Sequence, residues 1–256
     1  MAIDTEIKAE GAAEDAKNLA GNKELEELFK AGAHFAYSRS RRHPTMAPFI
    51  YGIKNNVEVF DLEKVFEKLQ AAEAFLKKLG EAKRNVLWVG TKPSVKNIIE
   101  EVAKKLNLPY VSERWLGGTM TNAKVFKERI KYFEELKRKR DTGEIEKYTK
   151  KEQLQISREL GTLEKYLSGI VSLKNEISAI VLVDPGEEKT AFHEAIKVKL
   201  PIVAICSSDN ALNEVDYPIP ANDTSPASVG YILKRLAAAY EEGAKSVPAP
   251  ENQPSQ

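Results

Sequence analysis

Short apolar runs separated by helical periodicity constrain the fold of this chain more than any other feature. The clearest are residues 86–89, Ile177–Val183 and Ile202–Cys206. Runs of about four to eight mostly apolar residues are typical of strands that are covered on both faces. Around these runs, apolar residues recur at helical spacing, as they do between Leu62 and Leu79. Strands that alternate with helices predict an α/β fold in which helices cover both faces of a parallel sheet.

Capping and turn-forming residues predict where several of these elements begin and end. Asp61 precedes the first long helix as its N-cap, and Gly80 follows that helix as a stop. Gly243 is the corresponding stop for the last helix. Val57–Phe60 is a further strand candidate. Tyr217–Pro220 is another, and we place it at an edge of the sheet because proline cannot donate a hydrogen bond to a neighbouring strand.

Composition limits the classes of function that the chain can have. Its 39 basic and 38 acidic residues give a net charge of +1, so any polyanion must be bound by local patches. The single cysteine, Cys206, excludes an internal disulfide and fits a reducing compartment. No apolar run reaches the ~18 residues of a membrane span, and the N-terminus lacks the pattern of a signal peptide. We therefore expect a cytoplasmic protein that does not contact a membrane.

Changes in composition divide the chain into four parts. Residues 1–22 and 244–256 are predicted to be disordered tails because they carry few large apolar residues. Residues 23–121 and 174–243 form the predicted α/β sandwich. Residues 122–173 interrupt it with two apolar stripes at helical spacing, which predicts an inserted antiparallel α-helical hairpin of coiled-coil type. Such a narrow hairpin has little area to bury against a sheet, so we expect it to protrude.

Basic residues concentrate in three places that suit contact with a polyanion. The first is a loop at residues 39–44, the basic loop; the second is a turn at residues 114–122, the corner. The third is the first helix of the hairpin. Arginine and lysine can bind phosphate oxygens, and Trp115 can either stack on a base or brace the corner. The candidate RNA-binding residues are Arg39, Arg41, Arg42, His43, Lys92, Arg114, Trp115, Asn122, Lys124, Lys127 and Lys131.

Each basic surface also has a purely structural explanation. The basic loop can be an exposed connection with its aromatic residues tucked beneath it, and the basic helix can be a solvated coiled-coil face. Thr121 or Asn122 can act as the N-cap of the helix that follows the corner. Lys92 belongs to a Gly90-Thr91-Lys92 turn at the end of a strand, where parallel sheets bind ligands. It can therefore meet a phosphate, or the turn can simply be a tight connection.

The motifs that most enzymes need are missing from the sequence. No glycine-rich phosphate-binding fingerprint follows any strand, and His34, His43 and His193 lack metal-ligand spacing. Asp184 ends the best strand, but no second ligand completes a metal site. No nucleophile, base and orienting group occur together. We expect a protein without catalysis, cofactor, metal or small-molecule substrate. The alternative is an α/β enzyme or sensor that binds a sugar phosphate or a nucleotide at the Gly90 turn.

Six blocks in a fixed order resemble a known family. They are AGAHF (31–35), APFIYG (47–52), VGTK (89–92), ERWLGG with TN (113–122), VDP (183–185) and DYPIPAND (216–223). Over residues 28–243 the chain resembles the bacterial ribosomal protein S2 family. The resemblance implies a Rossmann-like three-layer sandwich with a protruding helical hairpin. It also implies a structural role in the small ribosomal subunit: binding of ribosomal RNA between head and body, contacts with neighbouring ribosomal proteins, support of assembly and translation, and docking of ribosomal protein S1 where that partner exists.

The chain departs from the family pattern at three places. Residues 36–38 read Ala-Tyr-Ser, where the family usually has Gly-His-Gln. Residues 42–46 read Arg-His-Pro-Thr-Met in place of Trp-Asn-Pro-Lys-Met, and residues 207–211 read Ser-Ser-Asp-Asn-Ala in place of Thr-Asn-Cys-Asp-Pro. The added arginine keeps the basic loop suited to RNA. The departures weaken the transfer of individual residue roles around these loops, including the surface that would dock ribosomal protein S1.

Overall fold

A computed structural model describes residues 23–171 and 176–246, so predictions for the remaining residues lie outside the described ranges. In chain order the helices are α1 (Lys23–Lys30), α2 (Leu62–Glu81), α3 (Lys96–Leu106), α4 (Ala123–Asp141), α5 (Lys150–Leu167), α6 (Lys189–Lys197) and α7 (Pro226–Ser246). The strands are β1 (Ile50–Lys54), β2 (Val57–Phe60), β3 (Asn85–Val89), β4 (Tyr110–Val111), β5 (Ile177–Val183), β6 (Ile202–Cys206) and β7 (Tyr217–Pro220). Short 3₁₀ turns cover Arg39–Arg41, Pro44–Phe49 and Glu144–Lys147.

Five parallel strands form the central sheet in the order β4-β3-β5-β6-β7. The three apolar runs are confirmed as its central strands, and β7 lies at an edge, where its prolines are tolerated. Because all five strands run in the same direction, their last residues lie at one end of the sheet. We call this the carboxyl end; it is defined by Val89, Val111, Val183, Cys206 and Pro220.

Helices cover both faces of the central sheet. Successive side chains of a strand point to opposite faces, so Trp88 of β3 joins a core with α2, α3 and α7, whereas Leu87 joins a second core with α6. The same alternation divides β6, where Val203 and Ala204 enter different cores. The three-layer α/β fold predicted from the sequence is therefore confirmed.

Val57–Phe60 is a strand, but it lies outside the central sheet. It pairs antiparallel with β1 in a separate two-stranded sheet. Asn55 and Asn56 connect the two strands with φ values of 50° and 63°, the left-handed geometry that two-residue hairpin turns require. The sequence did not predict β1. None of its side chains is fully buried, and its sequence, Ile-Tyr-Gly-Ile-Lys, does not alternate between apolar and polar residues, so it gave no strand signal.

The sequence predicted that Gly80 and Gly243 end their helices, but both glycines lie inside them. They instead allow two helices to touch. α2 continues to Glu81, and α7 continues to Ser246, into the segment predicted to be a tail. A Cβ atom on Gly80 would collide with the carbonyl oxygen of Tyr240, and one on Gly243 would collide with that of Lys77. The two glycines therefore allow α2 and α7 to pack backbone against backbone.

α4 and α5 occupy the segment of the predicted hairpin. Apolar residues from both helices, such as Phe133 and Leu163, belong to the same buried cluster as one face of the sheet. Thr149 and Glu152 form a capping box at the start of α5, with Thr149 N–H donating to the Glu152 carboxylate at 2.9 Å. The protrusion of this pair and the division into domains stay predictions. None of the helices in the described ranges is long and apolar enough to cross a bilayer.

We predict that Gly243→Ala lowers the free energy of unfolding by about 1–3 kcal/mol, because the added methyl group forces α7 away from α2. Gly161→Ala is the matched control, since Gly161 lies within α5 and a Cβ atom there meets nothing within 4 Å. Alanine favours a helix over glycine, so the control should gain up to about 1 kcal/mol. Urea denaturation measures both changes, and shifts of the same sign would contradict the close helix contact.

Candidate nucleic-acid interface

The segments singled out in the sequence meet at the carboxyl end of the central sheet. The Gly90 turn follows β3 and the corner follows β4, while Asp184 and Asp223 follow β5 and β7. Residues 207–212 follow β6, and the basic loop packs against them. Parallel sheets present functional groups at this end because the loops after every strand converge there. The structure thus brings the basic loop, the Gly90 turn and the corner to one end of the molecule.

The backbone of the basic loop is held by residues that follow β6. Tyr37 N–H donates to Ser208 Oγ at 3.0 Å, and His43 N–H donates to the carbonyl oxygen of Ser208 at 2.7 Å. Leu212 N–H donates to Thr45 Oγ1 at 3.2 Å. The loop is therefore tied down on both sides of its arginines, which gives those arginines a defined starting position.

Arg39 and Arg41 are the exposed cations of the basic loop. Arg39 makes no ion pair with any described residue. Arg41 Nη2 lies 3.0 Å from Asp209 Oδ2, and its guanidinium lies 4.0 Å from the centre of the Tyr37 ring. The Arg41 side chain nevertheless stays 57% exposed, so its contact with Asp209 is a weak surface ion pair that a phosphate can replace.

Arg42 and His43 are held inside the structure, in contrast to their predicted role in binding RNA. Arg42 Nη1 lies 3.0 Å from Glu58 Oε1, and the Glu58 side chain is fully buried. Withdrawing Arg42 toward a phosphate would leave a buried carboxylate without its counter-charge. His43 is half-buried, and its Nδ1 lies 2.7 Å from Thr45 Oγ1 and accepts from Thr45 N–H. Both side chains shape the loop from within.

Lys92 lies in an ionic cluster beneath the basic loop and does not face solvent as a phosphate ligand would. Its Nζ is 2.5 Å from Asp184 Oδ2 and 2.6 Å from Asp223 Oδ2. Burial opposes the charged form of Lys92, but hydrogen bonds to the two carboxylates raise its pKa above the ordinary value. Burial raises the pKa of Asp223 to about 6. Burial acts the same way on Asp184, but contact with Lys92 lowers its pKa.

Two backbone donors of the Gly90 turn are already used, and the first is Gly90 N–H, which donates to the carbonyl oxygen of Val111 at 3.1 Å. Thr91 N–H donates to Glu188 Oε1 at 2.7 Å, so the backbone donor nearest the turn is already used. Burial raises the pKa of Glu188. In its ionised form this carboxylate would also repel an anion. Among the described residues, no group of three or more histidine, cysteine or carboxylate side chains could hold a metal. The crevice at the carboxyl end is filled by the protein's own side chains.

One carboxylate organises the corner. Glu194 of α6 accepts a hydrogen bond from Trp115 Nε1 at 3.0 Å and one from Gly118 N–H at 2.7 Å, and it also binds Met120 and Thr121. Trp115 is only 7% exposed and packs in the core beneath the corner. Of the two roles considered for this indole, the geometry therefore favours bracing of the corner over stacking on a base.

The residues predicted to cap α4 do not do so with their side chains. Asn122 stands at the N-cap position without a capping hydrogen bond, and its side chain is exposed. Thr121 Oγ1 donates to the Glu194 carboxylate at 3.3 Å. The glutamate supplies the negative charge near the start of the helix that an aspartate cap would otherwise supply.

Exposed cations line the start of α4. Lys124, Lys127 and Lys131 are exposed and form no ion pair with any described residue, and Arg114 in the corner has the same character. The three lysines recur at helical spacing and share one face over about 10 Å of helix. Cations farther along the helix differ, because residues 138–140 all contact carboxylates.

Sequence reasoning missed the carboxylates that hold these elements together. Glu58, Glu188 and Glu194 lie in a strand, in a turn and in a helix, and nothing in their neighbourhoods distinguishes them from solvated glutamates. Asp223 carried one signal, since it ends the family-like block at residues 216–223. The partners of Glu188, Glu194 and Asp223 are 73 to 131 residues away along the chain, and only the fold brings these pairs together.

Comparison with known proteins identifies the family. A family model described as ribosomal protein S2 matches residues 28–243. The chain belongs to the ribosomal protein S2 family. Three similar proteins bear the name small ribosomal subunit protein uS2. The one from Coprothermobacter proteolyticus is 38% identical over 219 residues, which cover 86% of this chain and 82% of the relative. The one from Mesoplasma florum is 39% identical over 225 residues, or 88% and 85% of the two chains. The one from Thermus thermophilus is 39% identical over 211 residues, or 82% of each.

Membership of the S2 family confirms two predictions. The resemblance seen in the ordered blocks is correct, and the chain is not an enzyme, since its relatives are ribosomal proteins. The three segments described above as departing from the pattern expected for the family also meet in space. Tyr37 and His43, from the first two departures, both donate backbone hydrogen bonds to Ser208 in the third. Changes that are far apart in the sequence therefore occupy one contact.

We predict that Lys92→Met lowers the free energy of unfolding by about 3–5 kcal/mol near pH 8, because Asp184 and Asp223 lose the charge between them. The loss should be smaller near pH 5.5. Burial already raises the pKa of Asp223 to about 6, so acid neutralises one carboxylate of the unpaired couple in the folded state before it does so in the unfolded chain.

The control for this prediction is Lys96→Met. Lys96 contacts Glu113 in a partly exposed pair, so its loss should cost less than about 1 kcal/mol at either pH. Denaturation curves at the two pH values measure all four differences. A Lys92→Met effect that is small, or that grows on acidification, would contradict the buried cluster.

We predict that Arg42→Ala and Arg39→Ala separate structural from exposed arginines in the basic loop. Arg42→Ala should lower the free energy of unfolding by about 3 kcal/mol, because it strands the buried Glu58 carboxylate. Arg39→Ala should change stability by less than about 0.5 kcal/mol, since Arg39 is exposed and unpaired among the described residues. Thermal denaturation measures both, and equal effects would refute the distinction.

Proposed function

We propose that the chain is a structural, non-catalytic constituent of the small ribosomal subunit that binds ribosomal RNA through the basic loop, the corner and α4. Family membership supports the ribosomal role, because the relatives are named as small-subunit proteins. The distribution of exposed cations supports the RNA-binding surface, since an interface with a polyanion needs positive charge that no neighbouring carboxylate cancels.

The observation that carries the proposal is the unpaired lysine row of Lys124, Lys127 and Lys131. A helix that needs lysine only for solubility commonly pairs it with glutamate one turn away, as Lys139 pairs with Glu135. The three lysines form no such ion pair with a described residue, although Glu128 and Glu134 stand one turn from Lys124 and Lys131. Their charges are therefore available to neutralise phosphates and to release the counterions condensed on RNA.

The set of proposed phosphate ligands is narrower than the sequence suggested. It keeps the residues whose polar groups reach solvent and drops those that the fold already uses. The retained residues are Arg39, Arg41, Arg114, Asn122, Lys124, Lys127 and Lys131. The residues assigned to the structure itself are Arg42, His43, Lys92 and Trp115, because they are bound to Glu58, Thr45, Asp184 with Asp223, and Glu194.

We also propose the finer parts of the role that the family resemblance implies. These are a position between head and body of the subunit, support of assembly and translation, and contacts with neighbouring ribosomal proteins including S1. The expected location is the cytoplasm, bound to the ribosome. Exposed aromatic rings support a protein partner: Phe29 and Phe35 are 51% and 49% exposed and lie on His34. Apolar rings left in solvent commonly mark an interface.

The rival function, an enzyme or sensor for a sugar phosphate or nucleotide, is disfavoured by the filled crevice. Lys92 is held by two carboxylates, and Thr91 N–H is bound to Glu188. A phosphate at this place would have to break these contacts and approach three acidic groups. A thermal-shift series with nucleotides and sugar phosphates tests the rival, which a specific micromolar ligand would restore.

We predict that the triple variant Lys124→Ala, Lys127→Ala and Lys131→Ala weakens binding to small-subunit ribosomal RNA. The slope of log affinity against log salt should fall in magnitude by about 2–3, at 0.7–0.9 for each lost phosphate contact. The melting temperature should stay unchanged, because all three side chains are exposed. Filter binding over a salt series measures the slope, and co-sedimentation with small subunits at moderate and high salt tests incorporation.

The matched control removes the same charge elsewhere. Lys189, Lys197 and Lys234 are exposed on α6 and α7 and form no ion pair with a described residue. Their triple alanine variant should keep the parent's salt slope. If both triple variants lose the same slope, only total charge matters and the proposed surface is wrong.

A further inference from the structure

Glu194, on α6, binds the residues of the corner that lead into α4. Besides the two bonds that Oε1 accepts from Trp115 and Gly118, Oε2 accepts from Met120 N–H at 3.0 Å and from Thr121 N–H at 3.2 Å. Thr121 Oγ1 adds a third donor to Oε2 at 3.3 Å. One side chain therefore fixes four residues of the corner, from the buried indole to the residues just before α4.

The charge of Glu194 is part of this contact. The residue is 8% exposed, and burial by itself would raise its pKa; the hydrogen bonds from Trp115 Nε1 and the backbone N–H groups outweigh burial and lower it. The carboxylate is thus ionised throughout the neutral range. A neutral amide of the same size could accept at one end only and would turn N–H donors toward the N–H groups of the corner.

The start of α4 depends on this contact because it has few other hydrogen bonds to the sandwich, although Leu116 and Met120 also pack against the core. The N-cap residue, Asn122, makes no capping hydrogen bond with its side chain. The first buried residue of the helix is Phe126, one turn inside it. Before that point, the chain is joined to the sandwich through the corner, and the corner is joined to α6 through Glu194.

We infer that Glu194 is a positioning residue for the RNA-binding surface: its carboxylate fixes the first turn of α4 against α6 and so sets where Lys124, Lys127 and Lys131 stand relative to the basic loop. The inference rests on the proposed function, since it concerns the same lysines. It adds a residue that touches no RNA, lies on a different helix and bears the opposite charge.

A small change of direction at the first turn of a helix, its base, moves the residues farther along it by a larger distance. Lys137 lies about 21 Å along α4 from the first residue of the helix. A change of roughly 10° at the base would therefore move Lys137 by about 4 Å. The same change would move Lys131, which lies about 12 Å along the helix, by about 2 Å. A shift of that size takes its ammonium group out of contact with a phosphate that it binds in the parent, because a charge-assisted hydrogen bond needs about 3 Å.

The test measures the direction of α4 and its RNA binding separately. Spin labels on Lys137→Cys and Gln70→Cys report the distance between α4 and α2 by double electron–electron resonance. Cys206 does not interfere, because it is fully buried and burial raises the pKa of its thiol well above the ordinary value. The salt slope for RNA binding is measured on proteins without the two added cysteines.

The decisive variant is Glu194→Gln, and Glu187→Gln is its control. Glu187 is an exposed glutamate just before α6, so the control makes the same chemical change outside the corner. We expect Glu194→Gln to move or broaden the label distance by about 4 Å or more, and to reduce the salt slope in magnitude by about 1 or more. The control should match the parent in both measurements.

A second variant covers the outcome in which Glu194→Gln does not fold. Trp115→Phe removes one donor to Glu194 and keeps an aromatic ring in the core, so it should produce a smaller change in the same direction. A label distance that stays at the parent value in a folded variant would overturn the inference.

Failure of the inference can be told apart from failure of the proposed function. If the triple lysine variant keeps the parent's salt slope, α4 does not bind RNA and the proposed function is wrong. If that variant loses slope while Glu194→Gln keeps both distance and slope, only the positioning role is wrong.

Discussion

The contact of Lys92 with Asp184 and Asp223 is the interaction on which the packing at the carboxyl end of the sheet depends. It joins the segments that follow β3, β5 and β7, and it fills the crevice in which a parallel sheet of this order would hold a ligand. Removing the lysine alone would leave two close carboxylates in a buried place, so the three groups stabilise the fold only as a unit. The basic loop is hydrogen-bonded to Ser208, in the segment that follows β6 at the same end of the sheet. In other proteins, α/β folds of this type bind small molecules at this end of the sheet. Here the same end presents a surface to a larger partner.

Buried anions explain how a chain of net charge +1 can face a polyanion. Glu58, Glu188, Glu194 and Asp223 are turned inward, where they meet an arginine, backbone N–H groups and a lysine. Arg42 and Lys92 offset the charges of Glu58 and Asp223, whereas N–H groups stabilise the charges of Glu188 and Glu194 without cancelling them. All four carboxylates are buried, while cations such as Lys127 are exposed. Net charge is therefore a poor guide to the potential at any one surface, which is set by the arrangement of the charges.

Much of the fold could be predicted from the sequence, and the candidate site only in outline. β5 and β6 were placed to the residue, because a strand buried on both faces leaves a local signature in apolar residues. Gly80 was misread because a glycine that admits a second helix looks the same as one that ends its own. The partners of Lys92 could not be found, since Asp223 is 131 residues away along the chain and no local pattern links them. The sequence located the basic segments, whereas which cations are free depends on contacts that only the fold creates.

The two anchors of the RNA-binding surface differ in how they respond to acid. The basic loop is tied by backbone N–H groups to Ser208, and the corner is tied to Glu194, whose pKa hydrogen bonds lower against the effect of burial. Neither anchor titrates near neutrality. Asp223 does, since burial raises its pKa to about 6, and it contacts Lys92 beneath the loop. Mild acid should therefore protonate Asp223, while the corner and α4 keep their arrangement. The lysines of α4 then hold a fixed backbone position, and binding has to order only their side chains, at a cost of at most about 2 kcal/mol each.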